Sequence, residues 1–307
     1  MPSSPQAGSS GCVRVSSANT DVPVGELLQT MQRVYDEPFA DSSNIATYVI
    51  SMLARKHIPV VLSGDGGDEL LAGYTFWYHP LLMMEPGFFT MMVGRLSGQH
   101  AWWNRKMADG FVQAGLGLRN GFSGIAEAHA AQKKYFSDRE LDLFGIPRVA
   151  GDGASRSGAT LDDALRSDLT NYMPGDILVK VDRAAMAHGL ELRAPFLDVD
   201  FASFCIGLPW QLKMNLDQDK YIMRKACGDL WTDDIRVRGK EGFGAPVQRW
   251  LKRPDVALLK EKHLVNPDSA LYAVLPPAHV RQHIASDSYK TWTLLVLAMW
   301  LETHPLR

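Results

Sequence analysis

Val60–Tyr74 reads VVLSGDGGDELLAGY, and the fold class turns on this stretch. The apolar run from Ile58 to Leu62, with Pro59 near its start, predicts a strand that Ser63-Gly64 ends abruptly. Asp65, Gly66, Gly67 and Asp68 follow, then Glu69 opens a short apolar piece that Gly73 stops. A strand breaking into a glycine-rich loop marks the ligand end of an α/β sheet, at the strand's carboxyl end. Gly64, Gly66 and Gly67 let backbone N–H groups approach an anion with no Cβ in the way. Three acids within five residues (Asp65, Asp68, Glu69) would repel a bare phosphate. They are compatible with phosphate if a divalent cation bridges the two, because Mg2+ takes one or two carboxylates together with phosphate oxygens.

Two nearby patterns fail. In Gly64-x-Gly66-x-x-Glu69, Glu replaces the third glycine of the dinucleotide fingerprint. Counting from Asp65, the twelfth position is Phe76 rather than the glutamate of a calcium loop. Taken alone, the stretch also reads as a solvated acidic turn with Ser63 or Asp68 capping a helix.

The whole chain sets the limits. At 307 residues it can bury a large core, as one domain or two small ones. Its 46% hydrophobic and 21% charged residues are ordinary for a soluble globular protein. A net charge of −2 gives no reason to expect nucleic acid or an anionic membrane as a partner. Cys12, Cys205 and Cys227 lie far apart without a CxxC, which argues against a disulfide framework or zinc site and fits a reducing cytoplasm. The first 20 residues hold no apolar signal core, and the run Trp292–Leu301 is too short for a bilayer, which needs about 20 residues.

Working outward, residues 1–11 (MPSSPQAGSSG) read as a disordered tail. Asp21 and Pro23 open a predicted helix with Leu27, Leu28, Met31 and Val34 on one face. After the loop YDEPFADSS (Tyr35–Ser43), a second helix to about Lys56 carries Ile45, Tyr48, Val49, Met52 and Leu53 at helical spacing. With the strand that follows, this is one step of a parallel α/β fold. From Pro80 to about Phe144 the sequence is mostly helical, with Met83, Met84, Met91 and Met92 as core fillers. GDGASRSGA (Gly151–Ala159) is a flexible break. Leu161–Asn171 reads as helix, Pro174-Gly175-Asp176 as the start of another running to about His188, and Glu191–Asp198 as a connecting loop. Lys220–Leu230 is helical, and Asp287–Leu301 is an apolar helix buried at the end of the core.

Five blocks in order now carry a resemblance: YDEPFADSS, LSGDGGDELLAGY (Leu62–Tyr74), PGDILVKVDRAAMAHGLELRAPFLD (Pro174–Asp198), KYIMRKA (Lys220–Ala226) and KEGFGAP (Lys240–Pro246). Together they resemble the synthetase domain of the glutamine-dependent asparagine synthetase family. The resemblance implies a partial parallel sheet of the PP-loop ATPase type followed by a mostly helical region, within one synthetase-like domain over 12–307 (α/β part 12–80, helical part 81–307). It implies ATP and Mg2+ as cofactors. It also implies activation of a carboxylate, with aspartate first in line, as an acyl-adenylate that an amine converts to an amide.

Matched position by position, Ser63 and Gly64 fall where the family contacts the nucleotide, with Gly66 and Gly67 alongside. Asp65 falls where a carboxylate faces the reacting centre, and Asp68, with Glu69 next to it, where Mg2+ and pyrophosphate are held. Lys240 falls where a lysine stabilises the transition state and the leaving pyrophosphate. Such chemistry is mostly positioning and charge neutralisation, so a metal and a fixed cation suit it. Lys240 also lies between Gly239 and a turn-rich GFGAP, a loop able to close. Arg183 and Arg193 can hold a substrate carboxylate or form structural pairs with Asp182 and Glu191, and paired charges beside an apolar core read as architecture first.

The sequence departs from the family at several points. Gly239 stands where a proline is common, and Glu241 where an uncharged residue is common. None of the 62 residues before Ser63 spells the family's SGGxDS loop; Gly8–Gly11 comes nearest but lacks the aspartate. Pro2, not a nucleophilic cysteine, follows Met1. Two expectations therefore stand side by side. One is an amide-forming ligase domain completed by an upstream segment, or by a separate chain supplying that segment or ammonia. The other is a non-catalytic remnant or regulatory subunit of the same fold.

Overall fold

A computed structural model describes residues 22–85, 115–117, 121–147, 160–232 and 244–305. The tail, the GDGASRSGA break, Met91, Met92 and Lys240 lie outside the described residues.

Helix α1 (Val24–Val34) buries Leu28 and Met31 on the face its periodicity marks out. Helix α2 (Ser43–Arg55) follows the predicted loop, though only Ile45 of its apolar set is fully buried and Met52 is exposed. Strand β1 is shorter than the apolar run, Val60–Leu62, and Ile58 remains exposed before it. Short helix α3 (Gly67–Leu70) starts at Gly66, whose φ of 84° suits a residue without Cβ. Helices α4 (Thr75–Leu81), α5 (Ile125–Gln132) and α6 (Leu161–Ser167) come next.

Two sequence expectations need correction here. Pro174-Gly175-Asp176 does not start a helix: Asp168–Ile177 is a ten-residue π-helical stretch running from α6 directly into α7 (Leu178–Met186). Pro174 has no N–H to donate and its ring crowds the preceding turn; wider turns accommodate it where an α-helix would break. Glu191–Asp198 is not simply a loop either, since Glu191–Arg193 is strand β2, paired parallel to β1 with Val60 opposite Glu191 and Leu62 opposite Arg193. Helix α2 packs on α7, and each helix leads into its strand, so two helix–strand units lie side by side and their strands run parallel. The fold class is therefore α/β and mostly helical, with a parallel sheet of two strands among the described residues.

Beyond β2, residues Pro195–Leu197 form a 3-10 turn, followed by α8 (Val199–Gly207) and α9 (Tyr221–Cys227). The closing helix α10 (Tyr289–Thr303) is capped by Ser288 and Thr291 and buries Trp292, Leu294, Leu295 and Met299 against α1. A second core joins Tyr78, Leu81, Ile125 and Leu165, and a small third one joins Leu70, Leu71 and Cys205. No helix among the described residues is long and apolar enough to cross a membrane.

Candidate functional site

The site is built at the carboxyl ends of the two parallel strands. Ser63 N donates to Arg193 O at 2.8 Å, so the ladder runs one step past β1 before the chain turns. Gly67 N then donates to Gly64 O at 3.2 Å, closing the glycine turn on itself. The turn after β2 lies directly against it. A Cβ on Gly66 would come within 2.2 Å of Leu197 Cδ2, and one on Gly67 within 3.3 Å of the Phe196 ring. The chain itself thus fills the room left by Gly66 and Gly67. Among the described residues the space around Gly64 is open, with no atom within 4 Å of a Cβ there.

Four candidate side chains have distinct surroundings. Ser63 Oγ and Asp65 Oδ2 are buried atoms with no hydrogen-bond partner among the described residues. Buried polar atoms are costly unless paired, so two orphans in one turn mark a place that a ligand group can complete. Asp68 Oδ1 lies 2.7 Å from Lys220 Nζ at the start of α9. Glu69 is only 1% exposed and accepts from Tyr74 Oη at 2.5 Å. Burial raises the Glu69 carboxyl above its usual range despite that bond, and burial with the Glu69 charge raises the Tyr74 phenol.

Around this turn lies a wall of residues with no role assigned from the sequence. The rings of Tyr74 and Tyr172 meet edge to face at 5.9 Å, bringing the π-helical stretch against the glycine turn. Lys133 Nζ sits 4.4 Å from the Tyr172 centroid and 4.7 Å from that of Trp77. It ends on the fully buried Asp168, which also accepts from Tyr78 Oη at 2.5 Å and bonds His129 Nε2 at 2.8 Å. Farther along, Lys180 Nζ holds Asp41 Oδ2 at 2.8 Å, and Ser43 donates to the same carboxylate through N and Oγ. Those contacts outweigh burial and hold Asp41 low. Burial and the Asp41 charge push its neighbour Asp176 up to about 6.

The two arginines form surface pairs. Arg183 reaches Asp36 at 2.7 Å and Asp182 at 3.7 Å, tying α7 to the loop after α1 rather than to β2. Arg193 bonds Glu191 within its own strand at 2.7 Å. Exposed pairs of this kind contribute about 0–1 kcal/mol.

Among the described residues, no three His, Cys, Asp or Glu side chains converge as a ready-made metal cage. Mg2+ does not require one, because it binds through one or two carboxylates with phosphate oxygens and water completing its shell. Asp68 and the orphaned Asp65 oxygen fit that pattern. Glu69, turned inward onto Tyr74, does not.

Of the charged residues without an assigned role, Asp41, Asp176, Lys180 and Lys220 lie inside the five blocks. Spacing gave no sign of them because each pairs with a side chain distant in sequence. Lys133, His129 and Asp168 lie outside the blocks, and only burial reveals them.

Comparison with known proteins gives the family. The family model Asparagine synthase matches residues 17–302. A putative glutamine-hydrolyzing asparagine synthetase of Mycobacterium tuberculosis (strain H37Rv) is 30% identical over 284 residues, covering 86% of this chain and 42% of that protein. Glutamine-hydrolyzing asparagine synthetase 1 of Bacillus subtilis (strain 168) is 28% identical over 283 residues, covering 87% and 44%. A Methanocaldococcus jannaschii counterpart reaches 55% identity over 49 residues. The chain thus spans less than half the length of the two long bacterial matches. With a strand-end glycine turn carrying orphaned Ser63 and Asp65 atoms, and a family match over nearly its whole length, the chain belongs to the asparagine synthase family.

Proposed function

We propose that this chain carries an ATP-dependent, amide-forming ligase step in which a carboxylate, with aspartate as the leading candidate, is activated as its acyl-adenylate. Pyrophosphate leaves, and an amine or ammonia then attacks the acyl carbon to give the amide and AMP. The observation that carries this reading is the pair of buried polar atoms at the end of β1, Ser63 Oγ and Asp65 Oδ2, without a hydrogen-bond partner among the described residues, in a turn that those residues leave open beside Gly64.

In this reading Ser63 and the Gly64 backbone meet the nucleotide, and Asp65 faces the reacting centre. Asp68 is the residue that would hold Mg2+, and a bound ion would supply neutralisation of the polyphosphate charge. Glu69 serves from behind by fixing Tyr74, and Tyr74 in turn abuts Tyr172 on the π-helical stretch. Gly66 and Gly67 allow the turn to close on Phe196 and Leu197, which fixes where the loop atoms stand. Lys240 supplies the cation that stabilises negative charge in the transition state.

The test is product analysis. With MgATP, aspartate and ammonium, and with a segment carrying the family's SGGxDS loop supplied in cis or in trans, the protein is expected to release AMP and pyrophosphate in step with amide. ADP and orthophosphate as products would contradict the adenylate route.

A further inference from the structure

The corner where α3 meets α9 concentrates backbone strain around one ion pair. Among the described residues, three that are not glycine have positive φ, and two of them, Ala72 (54°) and Lys220 (46°), lie here. Lys220 N donates to Leu71 O at 3.2 Å, joining the two strained segments, while Gly73 N donates back to Asp68 O at 2.8 Å. Between them, Lys220 Nζ lies 2.7 Å from Asp68 Oδ1. Gly73 makes this possible, because a Cβ there would lie 2.0 Å from Asp68 Oδ1 and 2.5 Å from Lys220 Cε. The residue before Lys220 is pinned as well, with Asp219 accepting from Thr75 Oγ1 at 3.0 Å and from Arg224 Nη2 at 2.7 Å. A left-handed lysine held by its surroundings is the kind of outlier that clusters at ligand clamps and switches.

We propose that Lys220 is the resident counter-ion of Asp68, a positioning residue that holds this carboxylate in the glycine corner and that a divalent cation must displace to bind there. The proposal rests on Asp68 as the metal carboxylate. An ammonium and a divalent cation cannot share one carboxylate oxygen at contact distance without strong mutual repulsion. Metal loading at Asp68 Oδ1 and departure of the lysine are therefore one event, and loading there loosens the strained start of α9. Lys220 keeps Asp68 ordered without metal, at the cost of weaker metal binding.

Mn2+ titration followed by electron paramagnetic resonance reads metal affinity directly, with no turnover. Lys220→Met and Lys220→Gly remove the charge; the glycine variant also relieves the positive φ, so its fold is not at risk from strain. Both are expected to bind Mn2+ about tenfold more tightly than the parent, the effect of removing one charge-assisted competitor. Lys220→Arg should show no such gain, and Asp68→Asn should abolish the site in every background. Unchanged or weaker Mn2+ affinity in both charge-removing variants, with Asp68→Asn still abolishing the site, would overturn the counter-ion role while leaving the metal assignment standing. Mn2+ binding that survives Asp68→Asn would overturn the metal assignment and the counter-ion role together.

Discussion

Asp41 and Lys180 meet with Oδ2 and Nζ 2.8 Å apart, joining the YDEPFADSS loop to helix α7 beside the candidate site. The lysine pairs with Asp41, and its charge only partly offsets the burial of the neighbouring Asp176. Asp176, against the Asp41 charge and half-buried, is pushed up to about 6.

That shift has a sign. Asp176 holds its proton more tightly folded than unfolded, so its folded state is favoured at low pH and the advantage is lost as pH rises from about 4 to about 6. Asp176→Asn removes the titration. The variant is expected to melt a few degrees above the parent at pH 7 to 8, with the gap closing below about pH 4. Thermal melts across pH check this. A gap that does not change with pH would contradict the shift.

Tyr74→Phe leaves Glu69 buried without the phenol that donates to it at 2.5 Å. Loss of that donor is expected to destabilise the protein by about 1–3 kcal/mol, measured by urea unfolding. Tyr74→Phe with Glu69→Gln should recover part of that, since the neutral amide is cheaper to bury than a carboxylate.

Gly66→Ala combines positive φ with a collision against Leu197. A cost of about 1–3 kcal/mol is expected from the backbone alone. Trimming the neighbour with Leu197→Ala should rescue it only in part, because it removes the collision but leaves the strain in the φ of residue 66. Full rescue would show that crowding, not backbone conformation, makes this glycine necessary.

In a chain restored to full length, Lys240→Ala is expected to lower turnover by about a hundredfold or more, the usual consequence of losing one preorganised charge, with a much smaller effect on ATP affinity. Steady-state kinetics separate the two. Near-normal turnover would make Lys240 an ordinary loop lysine.

Much of this fold was legible in the sequence because it is local. Apolar spacing marks α1, apolar residues on most faces mark α10, and the break at Ser63-Gly64 marks the end of β1. Strand β2 was not legible. Glu191, Leu192 and Arg193 include no β-branched residue, and their pairing is imposed by the distant packing of α2 on α7. Pro174 suggested a boundary because proline breaks an α-helix, but π-type turns carry the chain through. At the site, the strand-end loop stood out through its glycines and acids. Its ion-pair partner Lys220 did not, because a lysine starting a helical block carries no mark of a carboxylate across the fold.

The most direct test of the account is whether the Ser63–Asp68 turn holds a polyphosphate through a metal at Asp68. Calorimetric titration of ATP into the protein, with and without Mg2+, measures it for the parent and for Asp68→Asn. Binding by the parent is expected to depend on Mg2+ and to be lost in Asp68→Asn, with the circular dichroism spectrum unchanged. Equal binding with and without Mg2+, or undiminished Mg2+-dependent binding by Asp68→Asn, would contradict the account.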